Sequence, residues 1–150
     1  MPDFLETSVD KFIFKVATDR TYTPEGIWVL EEEHGARVRL GISDYQQQLN
    51  GDMAFVHLKP VGTFLDRGVE FAEIETIKAT TSFLSPVAGK IVEINRSLDL
   101  SPELVNQDPY GQGWLVVIEV TNLQVDRTIV LEADAYLAAM RSQAAKELSQ

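Results

Sequence analysis

The sequence predicts a mainly β protein, a compact sandwich or barrel, on three observations. Gly and Pro punctuate the middle of the chain at short intervals: Pro24-Glu25-Gly26, His34-Gly35, Asn50-Gly51-Asp52, Pro60-Val61-Gly62, Arg67-Gly68, Pro86 with Gly89, Pro102, and Pro109-Tyr110-Gly111. Between them lie runs of about six residues rich in Val, Ile and Phe, the signature of strands joined by turns. The 150 residues, 45% hydrophobic and 24% charged, suffice for one buried core, so a single unit spans 1–150.

Taken in chain order, Phe12, Phe14 and Val16 form a small apolar cluster in alternation and predict an edge strand within an N-terminal segment of about residues 1–20. Strands follow near Trp28 to Glu33 and Arg37 to Ile42. In the second, Ala36-Arg37-Val38-Arg39-Leu40 alternates charged and apolar residues, giving one wet face. A short helix then interrupts: Ser43 caps it, Asp44 suits the positive end of its dipole, Tyr45 to Leu49 form its turns and Gly51 closes it. Further strands are expected near Ala54 to Leu58, Val69 to Ile77, Thr80 to Leu84, Gly89 to Ile94 and Trp114 to Val120. From Leu131 the period changes. Ala133, Tyr136, Leu137, Met140, Ala144 and Leu148 recur at spacings of three and four, one face of an amphipathic helix over about 131–149. Such a helix serves first as a brace on the sheet and only second as a docking element for a partner.

Charge and composition exclude whole classes of function. Thirteen Lys and Arg against 23 Asp and Glu leave a net charge of −10, unsuited to a phosphate backbone or an anionic membrane surface. With no cysteine there is no disulfide framework and no thiolate, so any sulfur chemistry must be borrowed from a cofactor. The acidic start, Met1-Pro2-Asp3, lacks the basic flank and apolar run of a signal peptide, and no apolar run is long enough to cross a bilayer. The expected setting is the cytoplasm.

Few residues carry chemistry by spacing. Glu31-Glu32-Glu33-His34 reads as a solvated hairpin end, because adjacent strand side chains point to opposite faces and cannot share one ion. His57 alternates with Val56 and Leu58 as a half-buried strand residue. Gly111-Gln112-Gly113 precedes a strand, not the helix a phosphate loop requires. No nucleophile elbow, triad or metal set stands out, so no catalytic residue and no metal ligand are assigned. Lys78 differs by position, since it follows Phe71-Ala72-Glu73-Ile74-Glu75-Thr76-Ile77 where a hairpin would turn before Phe83. By composition alone a turn lysine is a solubilising charge.

Its surroundings change that reading. Glu75-Thr76-Ile77-Lys78-Ala79, Ser85-Pro86-Val87-Ala88-Gly89-Lys90-Ile91-Val92 and Asn106-Gln107-Asp108-Pro109-Tyr110-Gly111-Gln112-Gly113-Trp114 together closely resemble the H-protein family of the glycine cleavage system. Trp28-Val29, Gly41-Ile42-Ser43-Asp44-Tyr45, Gly51-Asp52 and Phe55-Val56 extend the resemblance over about residues 22 to 120. It implies a flattened β sandwich or barrel of the lipoyl-domain type (a barrel-sandwich hybrid) with both helices packed outside. It also implies that Lys78 carries lipoate in amide linkage, and that the protein is a carrier and not an enzyme by itself. A rigid two-strand turn suits a swinging arm, and amide formation removes the ammonium charge. Glu73 and Glu75 share one strand face and, with Ala79, would present the turn to a lipoate-attaching enzyme; a solvated face explains the two acids equally well. The loop Asp108 to Gly111 would position Trp114.

Departures from the family pattern bear on cargo. H-proteins that carry the aminomethyl group usually have His-Glu before the tryptophan, where this chain has Gly26 and Ile27, and an Asp four residues past the lysine, where it has Ser82. In the family these acidic positions lie in the cleft that shelters the loaded arm. The departures resemble a divergent branch of lipoate-binding proteins that serve a heterodisulfide-reductase-like pathway of sulfur oxidation. A sulfur-intermediate carrier working with that complex is therefore the first expectation. The alternative is a glycine-cleavage H-protein working with glycine decarboxylase, aminomethyltransferase and dihydrolipoyl dehydrogenase. Remoter alternatives are a biotin carrier, although Lys78 is flanked by Ile77 and Ala79 where methionine is usual, and an unmodified structural β domain.

Overall fold

A computed structural model describes residues 3–122 and 127–148. In chain order the elements are β1 (Phe4–Val9), β2 (Phe12–Ala17), β3 (Thr21–Tyr22), β4 (Ile27–Glu32), β5 (Arg37–Ile42), α1 (Asp44–Asn50), β6 (Met53–Leu58), β7 (Phe64–Leu65), β8 (Glu70–Thr76), β9 (Thr80–Leu84), β10 (Gly89–Ile94), α2 (Leu104–Gln107), β11 (Val116–Val120) and α3 (Ala133–Leu148). Among the described residues the strands form three sheets: β1-β2 alone, a six-stranded sheet in the order β3-β4-β5-β11-β10-β7, and a three-stranded sheet β6-β8-β9. The mainly β sandwich with an internal and a C-terminal helix is the predicted class.

Alternation along the strands makes the sandwich. On β5, Val38 and Leu40 face inward opposite Ile118 and Val116 of β11, and they meet Ile74, Val56 and Phe83 of the smaller sheet in one core. Arg37 and Arg39 point outward, to Glu33 at 3.6 Å and Glu32 at 2.8 Å, which is the expected wet face. A second core lies on the other side of β4, where Trp28, Tyr22, Phe14, Val16 and Tyr45 pack against Ala133, Tyr136, Met140 and Ala144 of α3. Tyr22 and Tyr136 stack with centroids 4.5 Å apart. The apolar face of α3 thus braces β1, β2 and β3. Leu131, read as the start of that face, precedes the helix and bridges Tyr22 instead.

The expected edge strand at Phe12 to Val16 forms as β2, which among the described residues pairs with β1 alone, around a turn in which Asp10 adopts φ 58. Asp tolerates that left-handed conformation, so a tight hairpin forms without glycine and leaves no glycine signal to read. The loop at Asp108 holds both tryptophans: the Trp114 backbone N–H donates to the Gly111 carbonyl at 3.2 Å, as expected, and the Trp28 indole Nε1 donates to the Pro109 carbonyl at 2.9 Å. The Trp114 carbonyl is held by Asn95, whose Nδ2 donates to it at 2.7 Å, and its ring lies under the Arg39 guanidinium at 4.3 Å.

Candidate functional site

Lys78 sits at the apex of the β8-β9 hairpin. Glu75 pairs with Thr80, the Thr76 backbone N–H donates to the Ala79 carbonyl at 2.9 Å, and Ile77 and Lys78 form the connection between them. The Thr76 hydroxyl also donates to the Ala79 carbonyl at 3.2 Å, cross-bracing the turn. Ile77 is 98% exposed and Lys78 and Ala79 are exposed as well, so the tip stands clear of the core while Phe71 and Ile74 anchor β8 within it. The Lys78 ammonium donates to the Leu49 carbonyl at the end of α1, at 2.7 Å, and no carboxylate pairs with it among the described residues. The amine is thus accessible on a rigid base, which fits acylation by a carboxylic acid.

Glu73 and Glu75 do share one face of β8, both half-buried, and the face carries a residue whose partner spacing could not reveal. His57 lies opposite Glu73 on β6, and its Nε2 is 2.9 Å from Glu75 Oε1. His57 is exposed rather than half-buried, and ligand atoms of the three side chains lie within 4.8 Å of one another. Ser82, directly across from Glu73 on β9, belongs to the same row.

Ile27 and Ser82 come together along one cleft of about 540 Å³, lined also by Thr23, Glu25, Gln46 and Arg67. Ile27 is only 1% exposed and contributes an apolar wall. Gly26 takes φ +90, and a Cβ there would lie 2.4 Å from Gln46 Cγ and 3.0 Å from the Tyr136 hydroxyl. A side chain at that position is therefore displaced by α1 and by the C-terminal helix, which explains the glycine. The expectation of a cleft without acid is incomplete: Glu25, one residue earlier, is exposed and lines it, with Arg67 opposite in charge.

A second cleft, of about 380 Å³, opens on the Lys78 side of α1. Tyr45 lines it, and its buried hydroxyl has no hydrogen-bond partner among the described residues. Burial and then the nearby Glu147 carboxylate raise that phenol above its ordinary range.

With this geometry in view, the sequence model described as "Glycine cleavage H-protein" matches residues 20–143. The glycine cleavage system H protein of Thermus thermophilus is 40% identical over 129 residues, covering 86% of this chain and 98% of that protein. That of Edwardsiella ictaluri is 44% identical over 125 residues, covering 83% and 96%. Among solved structures, a glycine cleavage system H protein from Mycobacterium marinum superposes with a TM-score of 0.72 at 29% identity, covering 82% of this chain and 97% of that one. No helix among the described residues is long and apolar enough to cross a membrane. On sequence, fold and the placement of its hairpin lysine, the chain belongs to the glycine cleavage H-protein family.

Proposed function

We propose that this protein is a lipoyl carrier of the glycine-cleavage type, with lipoate attached to Lys78, and that it presents cargo to partner enzymes without catalysing a reaction itself. The observation that carries this reading is the exposed Lys78 amine at the cross-braced tip of β8-β9, in a chain of the H-protein family. Lipoate would supply a dithiolane whose sulfurs bond reversibly to the cargo. The chain's part is mechanical: β8 and β9 fix the base of the arm, and the tether raises the local concentration of cargo at each partner. Glu73, Glu75 and Ala79 are proposed to be read by the attaching enzyme. The carrier unit spans 1–150, with the β1-β2 hairpin (about 1–20) as an N-terminal extension and the C-terminal helix (about 131–149) lying mostly within the family match.

For cargo, the relatives reverse the order in which the sequence suggested the two pathways. Each of those named above is a glycine cleavage protein, and Glu25 offers the Ile27 cleft a carboxylate for an aminomethyl ammonium. The proposed partners are therefore glycine decarboxylase, aminomethyltransferase and dihydrolipoyl dehydrogenase. The test is aminomethyl loading of the lipoylated protein by glycine decarboxylase. Efficient loading is expected, falling about ten-fold or more in Glu25→Gln, since a hydrogen bond to a charged group contributes about 1.5–3 kcal/mol. Wild-type loading near background would contradict this cargo.

One observation favours a second reading, a sulfur-intermediate carrier for a heterodisulfide-reductase-like complex: Ile27 and Ser82 bring no carboxylate where the family usually has acids. Background loading, together with lost growth on reduced sulfur compounds after gene deletion, would move that reading to first place.

A further inference from the structure

The cleft beside Lys78 has no part in the cargo chemistry above, yet it is built at the root of the arm. Phe12 and Phe14 of β2, Tyr45 and Leu49 of α1, and Leu148 at the end of α3 form its apolar walls, and Lys78 itself is part of the lining. Phe12, Phe14 and Leu148 lie outside the 20–143 match to the family, so part of this wall comes from beyond that match.

Three features suit an uncharged chain tethered at Lys78. The side chain already folds toward α1, with Nζ donating to the Leu49 carbonyl at 2.7 Å. Acylation leaves one N–H on that nitrogen, enough to keep this bond, and removes the ammonium whose desolvation would oppose burial. The apolar walls match the methylenes of an eight-carbon acyl chain. The Tyr45 hydroxyl, buried without a partner among the described residues, is a donor of the kind an acyl carbonyl accepts from.

We propose that the lipoyl arm on Lys78 rests in this cleft between visits to partners, a seat separate from the Ile27–Ser82 cleft and walled by the β1-β2 hairpin and the last turn of α3. The proposal rests on Lys78 being the lipoylated residue. In functional terms it makes the N-terminal hairpin a parking surface that shields the dithiolane from adventitious thiols and sets how readily the arm is released.

The test uses the full chain, isotope-labelled and lipoylated enzymatically, with the modification located by peptide mass. Nuclear Overhauser contacts from the arm methylenes to the rings of Phe12 and Phe14 are expected, with amide shifts at Leu49 and Leu148. Phe12→Asp and Leu148→Asp, at positions 40% and 36% exposed, should abolish those contacts while the spectra remain those of a folded protein. Arm contacts confined to Thr81–Pro86, or shifts confined to the turn at 77–79, would overturn the resting site while leaving Lys78 as the carrier residue. Absence of a lipoyl mass at Lys78 would overturn both, and mass alone tells that outcome from the others.

Discussion

At the scale of single residues, two glycines are held to their identity by what surrounds them. Gly41 lies against the fully buried Trp28, and a Cβ at 41 would sit 2.3 Å from the indole ring. Gly41→Ala should therefore cost about 1–3 kcal/mol, the usual range for overpacking, read as a lower urea midpoint with unchanged slope. Gly26→His, which restores the usual family residue, meets both a positive φ and the atoms of Gln46 and Tyr136. It should destabilise by about 1–3 kcal/mol, and a neutral result would show that the Gln46 side chain gives way freely. Lys78 was legible through the resemblance of its hairpin. Glu25 was not, because the family's acids sit at other positions and only the folded cleft brings Glu25 beside Ile27.

Among the elements, α3 shows how the C-terminal segment joins the core. Its Tyr136 hydroxyl lies 2.8 Å from Ser43 Oγ, which also accepts from the Gln46 backbone N–H at 3.2 Å and so caps α1. Tyr136→Phe removes one bond and should cost about 1 kcal/mol, whereas Met140→Ala opens a void in the second core and should cost about 2–5 kcal/mol, both measurable by chemical unfolding. Strands such as β5, β9 and β10 were readable residue for residue, because period-two burial is bounded by turn residues at each end. β1 was not, since Phe4-Leu5-Glu6-Thr7-Ser8-Val9 gains its strand character from pairing with β2 and from packing of Leu5 and Val9 against the second core. β3 and β7, two residues each, exist only as partners of β4 and β10 and leave no periodicity to detect.

For the molecule as a whole, titration and charge give two further expectations. All four tyrosines, Tyr22, Tyr45, Tyr110 and Tyr136, have ionisation raised above the ordinary value, with burial the largest cause in each. The folded state therefore holds its phenol protons where the unfolded chain releases them, at about pH 10. Stability from these groups is intact below that pH and falls as pH rises above it. The urea midpoint should drop as pH climbs above about 10, with tyrosinate absorbance appearing only as the protein unfolds. The net charge of −10 should speed encounter with basic docking surfaces, so association rates with partners should decline as salt rises; salt-independent rates would contradict steering. The central claim is that Lys78 is the carrier residue, and lipoylation by a lipoate-attaching enzyme followed by peptide mass mapping tests it most directly. One lipoyl group on Lys78, absent from a Lys78→Arg variant that melts like the wild type, is the predicted result; a lipoyl group on another lysine, or none at all, would contradict it.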